Sequence, residues 1–217
     1  MKNKLISLLV VLGTLCALGA ALASTASAAN EMFRSELEHT IYDAQAVSNW
    51  EFGTFAGKIP CTSLSFDNAT TTKKEVKELT VTPTFGGCKE GAGRTVDVRM
   101  NGCDFLLTSE IPAGEKHAPM HIKCAKAGEA VELKITTIFG EKGCVKIPPQ
   151  TPTGGLVYAN GTKNGKADWG LLATLSSIEY SLVELCGNEL RNDGTLTGEA
   201  TVSGTDTNGL SIGIEWK

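Results

Sequence analysis

The chain has 217 residues, with 20 Lys+Arg against 24 Asp+Glu, a formal net charge of −4 and 41% hydrophobic residues. No basic stripe or patch is visible, which argues against nucleic acid and against an anionic membrane surface as partners. The length suits one sizeable β domain or two small ones.

The first 28 residues read as a secretory signal peptide. Lys2 and Lys4 form a short positive start, Leu5 to Leu22 is predominantly apolar, and Ala26-Ser27-Ala28 is an A-x-A cleavage site. Small residues close the apolar run with no positive stop after it, so no stable membrane anchor is expected once the signal is cleaved. Cys16 lies inside the run, follows Leu15 rather than a small residue, and is expected to leave with the signal. Cleavage there leaves 189 of the 217 residues; Lys2 and Lys4 go, so 18 basic side chains face 24 acids and the net charge falls to −6. Six cysteines remain: Cys61, Cys88, Cys103, Cys124, Cys144 and Cys186. An even number in an exported chain reads as three disulfides, and no C-x-x-C is present for a zinc-ribbon or thioredoxin-type role. Six cysteines allow 15 connectivities. Sequential pairing (61–88, 103–124, 144–186) is expected because near neighbours in a meander end up adjacent.

Along the rest of the chain the dominant period is two. Glu31 to Ala46 is charged and weakly patterned, an edge strand or a loose arm. Leu79, Val81 and Phe85 share a face, with Thr80, Thr82 and Thr84 opposite. Val96, Val98 and Met100 alternate with Asp97, Arg99 and Asn101, and Val131, Leu133 and Ile135 with Glu132, Lys134 and Thr136. Leu171, Leu175, Ile178, Leu182 and Leu185 fall at helical spacing. The same stretch also reads as two strands with a register change at Ser176-Ser177, and strand is the reading adopted. Leu210, Ile212, Ile214 and Trp216 form a last alternating run. Gly86-Gly87, Asn101-Gly102, Asn160-Gly161, Asn164-Gly165, Asn192-Asp-Gly194 and Asn208-Gly209 are turn signals. These features predict an all-β fold: an antiparallel β-sandwich, Greek-key or meander, of about a dozen short strands stapled by disulfides. It fills residues 29–217, or divides into two smaller β units near 148–153. Phe85-Gly-Gly-Cys88 and Phe139-Gly-Glu-Lys-Gly-Cys144 echo each other faintly.

Four stretches carry a resemblance: Phe33-Arg-Ser-Glu36, Thr82-Pro-Thr-Phe-Gly-Gly-Cys88, Asn101-Gly-Cys-Asp-Phe105 and Cys144-Val-Lys-Ile-Pro-Pro-Gln150. On these the chain resembles a group of exported bacterial cysteine-containing β proteins of no known activity. The resemblance implies a cysteine-bonded β fold over most of the mature chain and adds no chemistry.

Candidate sites are few. Gly209-Leu-Ser-Ile-Gly213 matches G-x-S-x-G, yet only four residues follow it, too few for the helix, acid and histidine that a nucleophile elbow needs. His117, Met120, His121 and Cys124 offer copper or zinc donors, but an extended chain sets the two histidines about 13 Å apart. Thr205 to Gly209 and Asn192 to Gly194 hold too few oxygens for calcium, and turn chemistry accounts for them. Glu179, Glu184, Glu199 and Glu215 fall on wet faces. Asn68-Ala-Thr70 and Asn160-Gly-Thr162 are glycosylation sequons. Trp50 and Trp169 are the candidate ligand-stacking residues, while Trp216 runs in phase with the core. No catalytic residue, metal or cofactor is assigned. The expectation is a secreted, non-catalytic structural or binding module with a polysaccharide or envelope partner. The alternatives are a carbohydrate- or ligand-binding module and a secreted hydrolase limited to His39, His117 and His121.

Overall fold

A computed structural model describes residues 31–217, apart from 56, 68 and 92; the expected signal, Met1 to Ala28, and the first sequon asparagine lie outside the described residues. The chain is almost entirely β. In order the strands are β1 Phe33–Ser35, β2 Thr40–Ala46, β3 Trp50–Thr54, β4 Gly57–Cys61, β5 Ser63–Asp67, β6 Thr70–Thr71, β7 Glu75–Val76, β8 Glu78–Gly86 and β9 Val96–Arg99. Then come β10 Cys103–Thr108, β11 Met120–Cys124, β12 Val131–Thr137, β13 Gly140–Ile147, β14 Thr153–Lys163, β15 Lys166–Leu182, β16 Leu190–Thr205, β17 Ser211–Ile212 and β18 Ile214–Trp216. A single 3-10 turn, Glu184–Cys186, is the helical element among the described residues. Short pairings raise the strand number above the dozen expected.

All the strand pairs are antiparallel. An eleven-stranded sheet runs β4-β3-β16-β15-β13-β12-β9, with β14, β2, β6 and β17 attached along its flanks. Its inner face is covered by two smaller sheets. The four-stranded β11-β10-β8-β5 sheet packs over one part, where Phe85 of β8 meets Phe52 of β3 with ring centroids 5.0 Å apart. The three-stranded β18-β1-β7 sheet covers another, where Phe33 stacks on Trp169 at 5.4 Å and meets Tyr158 edge-on at 5.3 Å. This is the expected sandwich, with alternate side chains of each strand pointing into one shared core. The N-terminal stretch is no loose arm: Phe33 is fully buried and β2 pairs with β16 from Ala46 to Ile41. On either side of Pro148-Pro149, β13 and β14 both pair with β15.

Residues 171–182 are strand, and the helical spacing has a physical cause. Leu175 pairs with Leu196 but Ile178 with Gly194, so one extra residue sits on β15 at Ser176-Ser177, where Ser177 has φ 53°. A bulge of one residue moves the inward face from Leu171/Ala173/Leu175 to Ile178/Tyr180/Leu182. The resulting steps of four, three and four mimic a helix stripe. A second bulge on β16, at Asn192-Asp193, restores the register. Those residues are therefore not a turn, and Asn160-Gly161 likewise lies inside β14. Asn164-Gly165 does close the β14–β15 hairpin with φ of 52° and 76°. Asn101-Gly102, with φ of 47° and 76°, hands the chain from the large sheet to the four-stranded one. Positive φ at both centres is the primed-turn geometry that Asn-Gly reaches with little strain.

Candidate interaction surface

The six cysteines form three disulfides in sequential order: Cys61–Cys88, Cys103–Cys124 and Cys144–Cys186. The first ties the edge strand β4 to the end of β8, and so joins the two main sheets. The second links directly opposed residues of β10 and β11. The third joins β13 to the 3-10 turn after β15. Three such bonds suit an oxidising compartment.

The two candidate ligand-stacking tryptophans do not present a face to solvent. Trp50 is 3% exposed and Trp169 0%. The Trp50 indole lies over Gly198, where an added Cβ would come within 2.4 Å of a ring atom, and its Nε1 donates to the Glu199 carbonyl at 3.2 Å. Trp169 is sandwiched by Phe33 and Tyr158. Both rings are core, and the stacking assignment is corrected accordingly. The Phe-Gly echo also dissolves, since Phe85 is buried and Phe139 stands in solvent.

The remaining candidates disperse. Met120 is buried, Cys124 is disulfide-bonded, and His121 Nδ1 contacts Thr151 Oγ1 at 2.6 Å. Among the described residues no group of three His, Cys, Asp or Glu converges on a metal position. Ser211 is exposed on β17, and Glu179, Glu184, Glu199 and Glu215 all face solvent. Asp206 closes its own turn, accepting from the Leu210 and Asn208 amides at 2.8 and 2.9 Å, which holds its carboxyl below the usual range. Asn160 serves as a backbone clamp: its Oδ1 accepts from Trp216 N–H at 2.8 Å and its Nδ2 donates to Trp216 O at 2.6 Å. That side chain caps the free edge of β18.

The feature that sequence reading missed is one end of the large sheet. Three connections lie there side by side: the β3–β4 turn, the β15–β16 connection and the β12–β13 turn. The first and third share a local design. In Thr54-Phe55-Ala56-Gly57 the Thr54 hydroxyl donates to the Gly57 carbonyl at 3.1 Å; in Thr137-Ile138-Phe139-Gly140 the Thr137 hydroxyl donates to the Gly140 carbonyl at 2.8 Å. Thr137 Oγ1 also accepts from the Phe139 amide at 3.1 Å. Gly57 and Gly140 supply the positive φ, 122° and 92°, so the residues between them need no turn propensity of their own. Three of them are large, apolar and stand in water: Phe55 is 63% exposed, Ile138 93% and Phe139 84%.

Both tips are held from beneath. The Phe55 amide donates to the Tyr180 hydroxyl at 2.6 Å, which in turn donates to Asp193 at 2.8 Å, and the Arg191 guanidinium lies 4.0 Å over the Phe55 ring. This gives the β16 bulge a purpose, since it presents Asp193 and Arg191 to the neighbouring hairpin. The β12–β13 hairpin continues past its last pairing with β15, Val145 to Leu182, and projects roughly 15 Å further at about 3.3 Å per residue. At its root Gly143 N–H donates to Glu184 at 2.9 Å, Val183 N–H to the Cys144 carbonyl at 2.9 Å, and Cys144 is bonded to Cys186. A register shift opposite Leu133-Lys134 places Cys144 out of the alternating pattern and so lets it reach Cys186.

Polar clefts complete the surface. One of about 330 Å³ over the three-stranded sheet is lined by Arg34, Glu36, Lys74, Glu75 and Glu215; Arg34 pairs with Glu75 at 3.3 Å, and Glu36 with Lys166 beside the cleft at 3.1 Å. One of about 400 Å³ lies beside Glu179, Leu190, Arg191 and Asn192. Another, about 230 Å³, lies on the outer face of the large sheet beside Gln45, Thr162, Lys163, Asp168 and Thr201. Asp168 is 5% exposed and its carboxylate has no hydrogen-bond or ion-pair partner among the described residues, while Lys163 donates to Gln45 at 3.1 Å. No protein-family model, curated protein or solved structure matches the chain.

Proposed function

We propose that this is an exported, non-catalytic binding module that works at the cell envelope or outside the cell, and that it engages its partner through the hairpin end of the large sheet. The observation carrying this reading is the pair of Thr–Gly-clamped turns that hold Phe55, Ile138 and Phe139 in water. Folded chains rarely keep large apolar side chains at turn positions, where polar residues suit both solvent and backbone. Departure from local rules is expected at functional positions. The leader-like first 28 residues and the three disulfides support the export half of the reading.

The test is to recover the protein from cells that make it with its own leader. Intact mass of the extracellular or envelope fraction is expected to begin at Ala29 and to be six hydrogens light, with alkylation at six sites only after reduction. Fractionation is expected to show envelope retention that an Ile138→Ser/Phe139→Ser variant loses. A full-length mass with free thiols refutes export, and equal retention of the variant refutes the hairpin end as the binding surface.

A second reading, carbohydrate binding, is favoured by the Asp168 cleft rather than by the tryptophans. The Asp168 carboxylate opens into the cleft without a protein partner among the described residues, and sugar hydroxyls are donors that fit it there. Glycan binding that Asp168→Asn abolishes would support it; binding unchanged in that variant would end it.

A further inference from the structure

We infer that the partner of the hairpin end is a lipid bilayer surface of low net charge, an inference that rests on the binding-module reading above. The tips are separate. Four strand spacings divide the β3–β4 hairpin from the β12–β13 hairpin, about 19 Å at roughly 4.8 Å per strand, with β16 and β15 between them. The ground between carries the exposed Glu184 and Glu189, the part-exposed Arg191, and one further apolar side chain, Leu190, 75% exposed. A stable contact with a second copy or another protein buries about 800 Å² per partner of continuous, shape-matched surface. Separate apolar points divided by charges do not make such a surface. A bilayer interface asks for no shape match: it takes up each apolar side chain singly, and aromatic residues are favoured at its boundary.

Charge selects the kind of bilayer. Around the projecting tip Glu141 pairs with Arg99, and at the other tip Arg191 pairs with Glu189. Lys142 adds one cation to the finger, against a chain whose overall charge is −4. Among the described residues no basic cluster of the size that recruits proteins to anionic leaflets is present there. Apolar insertion therefore supplies the attraction, and the headgroups that suit it are zwitterionic.

The rigid support matters to this mode. A tip that is ordered before contact loses little conformational freedom on insertion. Thr137, Gly140, the Cys144–Cys186 bond and the Glu184 contact fix the finger in advance.

The experiment is flotation of the exported protein with phosphatidylcholine vesicles, and with vesicles in which phosphatidylglycerol replaces part of the lipid. Binding to phosphatidylcholine is expected, insensitive to 0.5 M salt and no stronger on the anionic vesicles. Ile138→Ser/Phe139→Ser is expected to weaken it about tenfold or more, the ratio supported by burying one large apolar side chain. Phe55→Ser, at the nearer and less exposed tip, weakens it less. These side chains lie in solvent, so unchanged near-UV circular dichroism confirms that each variant is folded. No flotation, flotation only on anionic vesicles, or flotation indifferent to the tip variants overturns the inference. If vesicles fail while envelope retention in cells still depends on the tips, the partner is a protein or polysaccharide and the binding-module reading stands. If retention is also indifferent, both readings fall.

Discussion

Replacing Gly198 by alanine adds one methyl group to the inner face of β16, directly under Trp50. The new Cβ would lie 2.4, 2.6 and 2.7 Å from three indole atoms, where carbon atoms in contact stand about 3.5–4.0 Å apart. The ring must retreat by roughly 1 Å, yet it is pinned by its bond to the Glu199 carbonyl and by Phe85, centroid to centroid 6.0 Å away. Overpacking of a tight core costs about 1–3 kcal/mol. Against this, alanine in a strand recovers about 0.5–1 kcal/mol of the freedom that glycine loses on folding. The net expectation is a loss of about 1–2 kcal/mol. Gly170→Ala on the neighbouring strand is the control, because its Cβ would meet nothing nearer than 3.7 Å and points outward. That variant is expected to be neutral or slightly stabilised. Urea denaturation followed by tryptophan fluorescence reads both, and near-UV circular dichroism reports movement of the indole. A Gly198→Ala protein as stable as Gly170→Ala refutes the packing argument, and with it the account of why Trp50 is unavailable to a ligand.

Removing the Cys144–Cys186 bond by double alanine substitution frees a segment of sequence separation 42, and the chain-entropy relation gives about 4 kcal/mol of lost stability by denaturant titration; a loss under about 1 kcal/mol would show that the bond does not constrain the unfolded chain. Asn160→Ala removes both bonds to the Trp216 backbone, and a loss of about 1–2 kcal/mol is expected with faster hydrogen exchange at the Trp216 amide. Unchanged exchange would mean that β18 holds its edge unaided. Glu36 is held below the usual carboxylate range by a backbone hydrogen bond from Gly213 and by Lys166, and Asp206 by the Leu210 and Asn208 amides. A carboxyl with a depressed folded value contributes fully above its unfolded value and loses that contribution as pH falls through the folded one. Carboxyl NMR titration should therefore place both midpoints below those of the unfolded chain, and stability should fall on acidification through that window; midpoints at or above the unfolded values would contradict the hydrogen bonds.

Strand identity was legible wherever a strand has one wet face. Leu79/Val81/Phe85 and Val131/Leu133/Ile135 are buried as their alternation requires. The disulfide order was legible too, because Cys103 and Cys124 flank a single hairpin and the other pairs join elements that are close along the chain. The 171–182 stretch was ambiguous for a definite reason: a one-residue bulge converts period two into a spacing that imitates a helix. Asn-Gly marks a turn at 164–165 and 101–102 but not at 160–161, where Asn160 is used as a side-chain clamp inside a long strand. Turn-like sequence beside the tryptophans left core, rim and ligand stacking all open; Gly198, which opens the slot that takes Trp50 into the core, lies far off in the sequence. The hairpin tips escaped notice because their turns lack Asn-Gly. The signal lay in the repeated Thr-x-x-Gly, whose meaning depends on a hydroxyl-to-carbonyl bond that only folding reveals.

The pairing of β1 with β18 joins the two ends of the described chain. Phe33 lies opposite Trp216, and Met32 and Lys217 exchange backbone hydrogen bonds at 2.6 and 3.0 Å. Phe33 and Trp216 stand 183 positions apart along the sequence, so seating Phe33 beside β18, against Trp169 and Tyr158, closes the longest loop of the described chain. Contacts of such separation are costly in chain entropy, so the core around Trp169 is expected to be the last part of the domain to form.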